Sequence, residues 1–162
     1  MRKSCFLLVL ISFLSLPSFA QRTITDFDLD WKFIQSDISG AEATGFNDAA
    51  WRSLRVPHDW MIEGPYDRNN PTNRGGGYLP SGIGWYRKTF TLPATESNKK
   101  ISVEFDGVMA NSEVWINGKS LGKRPYGYIS FAFDLTPYLN FGKPNTIAVR
   151  ADNLVQPASR YY

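Results

Sequence analysis

The stretch FDGVMANSEVWINGKSLGKRPYGYISFAFDL, residues 105–135, decides the fold. Near its centre, residues 112–116 read SEVWI and end in three residues of high strand propensity, and Asn117-Gly118 then leads into a second short extended segment. Asn-Gly is the preferred two-residue turn of a β-hairpin, because both turn positions require positive φ. The sequence therefore predicts a hairpin whose two strands are joined by Asn117 and Gly118.

Further extended segments flank this hairpin. Apolar residues occupy every second position over residues 101–105 and again over 129–133, as in strands that bury one face. Residues 84–93 and 146–153 are rich in aromatic and β-branched side chains, which favour strands. About seven or eight short strands without a long amphipathic helix predict an all-β chain with antiparallel sheets, arranged as a β-sandwich of the jelly-roll type.

The first 20 residues have the pattern of a secretion signal. Arg2 and Lys3 precede an apolar run over residues 5–16, and small residues follow up to Ala20. The apolar run is too short for a membrane helix, which needs about 20 residues. We therefore predict a signal peptide over residues 1–20 and export to the periplasm or the cell exterior, without a membrane anchor after cleavage.

The composition argues against several kinds of chemistry. The net charge is only +3 and no run of basic residues is longer than two, so nucleic acid is not a predicted partner. The single cysteine, Cys5, lies in the predicted signal, and His58 is the single histidine. A histidine-rich metal site and a Ser-His triad within the chain are therefore not expected. No cofactor is predicted.

A long loop is predicted over residues 57–81, which contain four prolines and four glycines. Loops of this length in compact domains are usually functional or disordered. Two interpretations stay open for His58, Asp59 and Trp60. Either the tryptophan plugs the core and the other two make structural hydrogen bonds, or the loop forms one wall of a ligand pocket.

The composition also suggests carbohydrate, through aromatic residues that stand close to Asp, Asn and Arg in the sequence. Sugar CH groups stack on aromatic rings, and sugar hydroxyls bond to polar side chains of these types. Trp115 points away from Val114 and Ile116 on its strand, so it is either an exposed platform or covered by a neighbouring domain. Tyr126 and Tyr128 are further candidates beside the hairpin.

No catalytic residue is predicted in this chain. A glycosidase needs two carboxyl groups about 5 to 10 Å apart across the bond that it cleaves. Four of the five glutamates fall in predicted turns or on the solvent face of strands. Only Glu63, near Asp59 in the long loop, is placed where it could line a cleft.

Four motifs, in this order and spacing, resemble the N-terminal sugar-binding domain of glycoside hydrolase family 2, the family of β-galactosidase-like enzymes. The resemblance covers residues 22–162, and its motifs are VPHDW (56–60), GWYRKTF (84–90), FDGV with VWING (105–108 and 114–118) and VRADN (149–153). It implies a galactose-binding-domain-like jelly roll over residues 21–162, apparently truncated at its C-terminal end.

The resemblance also implies a partner for this domain. In such enzymes an immunoglobulin-like domain and a (β/α)₈ barrel follow, and the barrel carries both catalytic glutamates, which this chain lacks. The implied substrate is a β-galactoside or a related glycan. Arg160 matches an arginine that tends to reach into the sugar pocket, and is the strongest predicted substrate contact beside His58, Asp59 and Trp60. The alternative function is a stand-alone carbohydrate-binding module without hydrolase activity.

Overall fold

The computed structural model describes residues 22–154, and the regular structure within them consists of eight β-strands and three single turns of 3-10 helix. The strands are β1 (Trp31–Ile34), β2 (Arg52–Leu54), β3 (Ile83–Thr91), β4 (Ser102–Phe105), β5 (Ser112–Ile116), β6 (Lys119–Arg124), β7 (Phe131–Asp134) and β8 (Pro144–Asp152). The 3-10 turns span Met61–Glu63, Ala94–Glu96 and Thr136–Tyr138.

The strands form two antiparallel sheets. The larger sheet has the order β2-β1-β3-β8-β5-β6, and β4 pairs with β7 in the smaller one. The centre of the larger sheet is the pairing of β3 with β8, which extends from Ile83 opposite Asp152 to Thr91 opposite Pro144. The predicted all-β class and antiparallel sheets are confirmed, whereas the jelly-roll topology and the signal peptide stay predictions. The signal peptide lies outside the described residues.

The predicted hairpin is confirmed as β5 and β6. Asn117 and Gly118 connect the strands with φ values of 50° and 76°, which are the positive angles that a two-residue hairpin turn requires. The register shifts between Val114 and Trp115, where a β-bulge interrupts the pairing with β6. The turn therefore forms where the sequence places it.

The main core lies between the two sheets. Inward-facing residues of the larger sheet, among them Val114, Ile147 and Val149, pack with Val103 and Phe133 of the smaller sheet. Val114 and Ile147 are fully buried. Alternation along β5 and β8 accounts for this arrangement, because every second side chain points to the same face.

A second cluster covers the outer face of the larger sheet. The connection between β1 and β2 packs Ala41 and Trp51 against Trp85 and Ala148 of the two central strands. The larger sheet is therefore covered on both faces, by the smaller sheet on one side and by this connection on the other. The connection between β1 and β2 covers the outer face through contacts with strands that are distant in the sequence. The local sequence pattern of the connection does not predict such contacts.

Candidate functional site

The long loop over residues 57–81 begins by placing Trp60 in the main core. Trp60 is 5% exposed, and its ring stacks on Phe33 with 5.7 Å between ring centroids. Gly84 lies directly against the indole, where a Cβ atom would approach the ring to 2.9 Å. Trp60 therefore fills the core and presents no open ring face for a sugar.

His58 links this loop to β2 and β3. His58 Nε2 lies 2.6 Å from Arg52 Nη2 and 3.2 Å from Glu63 Oε1. His58 Nδ1 lies 2.8 Å from the Tyr86 hydroxyl. The His58 side chain is only 9% exposed. Burial, with smaller contributions from nearby carboxylates, raises the pKa of Tyr86 above its ordinary value, so the phenol stays protonated.

The two carboxylates near His58 are also engaged within the chain. Arg52 Nη2 donates to both oxygens of Glu63, at 3.1 and 2.8 Å, and this hydrogen bonding lowers the pKa of Glu63. Asp59 Oδ1 accepts the backbone N–H of Met61 at 2.9 Å and so stabilises the start of the 3-10 turn. An ionised, paired Glu63 is poorly suited to act as a general acid.

The described structure therefore brings three predicted site residues together at the start of one loop. His58 and Asp59 make hydrogen bonds within the chain, and Trp60 lies in the core. Their role in binding substrate stays a prediction. Arg160, the fourth predicted contact, lies outside the described residues.

Replacing His58 with alanine separates the two interpretations of this loop. We expect the free energy of unfolding to fall by about 1–3 kcal/mol, because the buried Tyr86 hydroxyl loses its partner and Arg52 keeps only Glu63. Urea denaturation measures this, with Arg68→Ala in the exposed part of the loop as the control. Unchanged stability together with weaker sugar binding would contradict a structural role and favour the pocket wall.

A separate pocket opens on the outer face of the larger sheet. It encloses about 470 Å³ between the hairpin strands, the central strands and residues 37–42 of the connection that covers this face. The rings of Trp85 and Trp115 are stacked on each other within it, with 5.2 Å between ring centroids and 27° between ring planes. Trp85 is buried at 3% exposure, while Trp115 is half-buried.

Charged groups surround these two rings. Arg150 donates from Nε to Asp37 over 3.1 Å and also pairs with Asp152 at 3.2 Å. Lys123 pairs with Glu113 at 2.9 Å. Hydrogen bonds from Arg150 hold the pKa of Asp37 below its usual value, so this carboxylate stays ionised and can accept hydrogen bonds.

The indole N–H of Trp85 is the least satisfied polar group of this pocket. It lies close enough to the Asp37 carboxylate to favour its ionised form, yet it makes no hydrogen bond of normal geometry among the described residues. An unpaired buried N–H costs free energy. The indole N–H of Trp85 is itself buried and faces the chain's own Asp37, so it contributes to the electrostatics of the pocket and is not a surface donor.

Sequence reasoning identified only one residue of this pocket. Trp115 was predicted to be either a platform or covered, and it is half-buried beside Trp85. Asp37 and Arg150 lie 113 positions apart in the chain, so no spacing rule joins them. Neighbouring residues of a strand face opposite sides of the sheet. Because Tyr86 faces the main core, its neighbour Trp85 must face the outer side, and this could have indicated a pocket there.

Neither site has the features of a metal centre or a membrane segment. Residues 22–154 contain no group of three or more His, Cys, Asp and Glu side chains able to hold a metal ion. The same residues include no helix with the length and apolar character needed to cross a bilayer.

Comparison with known sequences gives a consistent set of relatives. Residues 47–159 match the family model described as glycosyl hydrolases family 2, sugar binding domain. The chain is 55% identical over 141 residues to the β-galactosidase BoGH2A of Bacteroides ovatus, covering 87% of this chain and 17% of that protein. It is 48% identical over 159 residues to a putative β-glucuronidase of Formosa agariphila, covering 98% and 15% respectively.

Solved structures agree with these relatives. A β-glycosidase from Bacteroides vulgatus matches with a TM-score of 0.79 and 53% identity, over 84% of this chain and 18% of that one. A family 2 glycosyl hydrolase from Bacteroides cellulosilyticus matches with a TM-score of 0.78 and 39% identity, over 80% of this chain and 17% of the other. The chain thus spans less than a fifth of each relative's length, and it belongs to glycoside hydrolase family 2, within which it matches the sugar-binding domain.

Proposed function

We propose that this chain is the N-terminal domain of an exported family 2 glycosidase that hydrolyses β-galactosides or β-glucuronides. One observation carries the proposal: the similarity to proteins with these names extends over most of the chain but over only 15–17% of their length. Most of such an enzyme therefore lies outside the matched region. The predicted signal peptide over residues 1–20 supports export.

Several glutamates of the described residues form ion pairs with basic side chains of the same chain. Glu63 is paired with Arg52, Glu113 with Lys123, and the exposed Glu104 with Arg22. Hydrolysis with retention needs one carboxyl group to protonate the leaving oxygen and a second to attack the anomeric carbon. We assign both roles to the glutamates of a barrel domain outside the matched region.

The domain itself would brace that barrel and supply one wall of its sugar pocket. Arg160 and the start of the long loop, at His58, Asp59 and Trp60, are the residues proposed for the wall. Of these, the described structure shows Trp60 inside the core, so the backbone and polar side chains of the loop are better placed than its indole to face a neighbouring domain. The jelly-roll topology and the immunoglobulin-like neighbour belong to the same proposal.

An activity assay tests this division of labour. The purified chain is expected to show no turnover of chromogenic β-galactosides and β-glucuronides, because it lacks the glutamate pair. The product of the uninterrupted reading frame, if it continues beyond Tyr162 into a barrel, is expected to hydrolyse one of them. Circular dichroism of the chain serves as the control for folding. Turnover by the chain alone above background would overturn the proposal.

The second candidate is a carbohydrate-binding module without hydrolase activity. The pocket beside Trp85 and Trp115 favours it, because paired aromatic rings with carboxylate and guanidinium groups suit a pyranose. A stop codon directly after Tyr162, together with saturable sugar binding and no hydrolysis, would establish this candidate over the first.

A further inference from the structure

We propose that the pocket beside Trp85 and Trp115 is a binding site for a neutral pyranose of a β-linked glycan, an inference that deepens the second candidate function and rests on it. The site lies on the outer face of the larger sheet. The long loop with His58 and Trp60 belongs instead to the main core side of the sheet. The inference does not depend on hydrolysis, because this chain alone carries every residue that it uses.

The aromatic pair provides the stacking surface. Trp85 is buried and its ring lies against Trp115 at an interplanar angle of 27°. The buried Trp85 ring therefore fixes the orientation of the more exposed Trp115 ring. Trp115 retains exposed area next to a pocket of about 470 Å³. A rigid, partly exposed indole at the floor of a concave surface can stack on the CH face of a sugar ring with little loss of side-chain entropy.

The polar groups around the rings match the hydroxyls of a sugar. Arg150 is oriented by Asp37 and Asp152 on two sides, and a guanidinium beside a carboxylate can donate to one hydroxyl while the carboxylate accepts from its neighbour. Sugar-binding sites need several such preoriented donors and acceptors, because each buried hydroxyl must be satisfied.

The charge balance selects a neutral ligand over an anionic one. The described lining residues include three carboxylates, Asp37, Glu42 and Glu113, against two cations, Lys123 and Arg150. Both cations are already paired within the chain. A uronate or phosphate group would therefore meet net negative charge, and desolvating it without a free cation would be unfavourable. A neutral hexopyranose such as galactose meets no such penalty.

The competing occupant is a protein surface from another part of the same enzyme. Such a surface would bury the pocket by apolar contact, and charged groups are depleted at the core of protein interfaces. Here the rings are bordered by five charged side chains, which suits a hydrated ligand better. The distinction becomes an outcome of the test.

The test follows the indole N–H signals of the purified chain in proton–nitrogen correlation spectra. The chain has five tryptophans, so five signals are expected, and single Trp→Phe variants assign them. Titration with methyl β-D-galactopyranoside should shift the Trp85 and Trp115 signals with a Kd of about 1 mM, the affinity expected for a ligand of this size. The Trp60 signal should stay in place. Methyl β-D-glucuronide should bind at least about tenfold more weakly.

Two variants test the assignment of the site. Trp115→Ala and Asp37→Asn should each raise the Kd at least about tenfold, while thermal unfolding confirms that the variants fold. Tyr126→Ala is the matched control, because Tyr126 is an exposed aromatic residue paired with Tyr128 and does not line this pocket. Its Kd should equal that of the unmodified chain.

Three results would overturn the proposal. One is the absence of any Trp85 or Trp115 shift with the galactoside or with a soluble β-galactan in the folded chain. Another is a shift confined to Trp60, which would place sugar binding at the long loop. The third is that sugar leaves the signals unchanged while Trp115→Ala destabilises the longer enzyme more than this chain, which would make the pocket an interdomain contact. None of these outcomes depends on whether the longer enzyme hydrolyses glycosides.

Discussion

Replacing Arg87 with methionine is expected to lower the free energy of unfolding by about 3 kcal/mol, the effect of removing one partner from a buried ion pair. The Arg87 side chain is only 2% exposed, and its Nε donates to Asp48 over 2.8 Å. The same guanidinium donates to the carbonyls of Ala41 and Ala43 and lies over the ring of Phe46. Methionine fills much of the volume but leaves these acceptors without a donor.

The loss of the Arg87 hydrogen bonds should destabilise mainly the connection between β1 and β2, which covers the outer face of the larger sheet. Arg87 is the polar anchor of that segment, so we expect limited proteolysis of the Arg87→Met variant to begin within residues 37–51. Guanidinium chloride unfolding measures the stability change. Arg55→Met is the matched control, because Arg55 is exposed and lies 3.6 Å from Asp26. Its effect should stay below about 0.5 kcal/mol.

A change below about 1 kcal/mol for Arg87→Met would contradict this account, since it would mean that the carbonyls find water without cost. Arg87→Lys offers a further check. A lysine keeps the charge but cannot reach Asp48 and two carbonyls at once from one nitrogen, so intermediate stability is expected.

Replacing Asn145 with aspartate is expected to cost about 2–4 kcal/mol, because it removes two donors from a buried amide of the same shape and adds a charge. Asn145 is 1% exposed. Its Oδ1 accepts from Asn117 Nδ2 at 2.8 Å and from the Asn140 backbone N–H at 2.7 Å. Its Nδ2 donates to the carbonyls of Asn140 and Lys143.

This amide joins the turn of the hairpin to the turn before β8. The lost donors serve the turn before β8, whereas an aspartate can still accept from Asn117 Nδ2. Hydrogen exchange should therefore speed up more at Lys143 than at Asn117. Asn69→Ala is the control, because Asn69 is exposed in the long loop, and it should change stability by less than about 0.5 kcal/mol. Equal stability of Asn145→Asp and the unmodified chain, measured by urea denaturation, would be incompatible with a fully bonded buried amide.

The local parts of this fold were predictable from sequence. Asn117-Gly118 specifies its turn through backbone conformation alone. The aromatic and β-branched residues in 84–93 and 146–153 predicted β3 and β8 to within about two residues at each end. These signals succeed because the information lies within a few positions of the residue concerned.

The contacts that cover the sheet's outer face could not be predicted in the same way. An arginine in the strand pattern of β3 indicates a solvent-facing position, yet Arg87 is buried by carbonyls of a segment about 45 positions earlier in the chain. The same holds for Asp37 and Arg150 in the pocket. In each case a polar side chain forms its hydrogen bonds with a segment that is distant in the sequence. Hydrophobic periodicity cannot identify such a partner.

The position of β8 in the larger sheet also bears on how the chain folds during synthesis. β8 lies between β3 and β5, so the half containing β1, β2 and β3 and the half containing β5 and β6 share no edge until β8 is inserted. A ribosome must therefore release residue 152 before the sheet can close. Pairing strands so far apart in sequence is slow, on a scale of roughly milliseconds to seconds. The nascent chain consequently remains open, with its central edges unpaired, for nearly the whole time that the described domain is being translated.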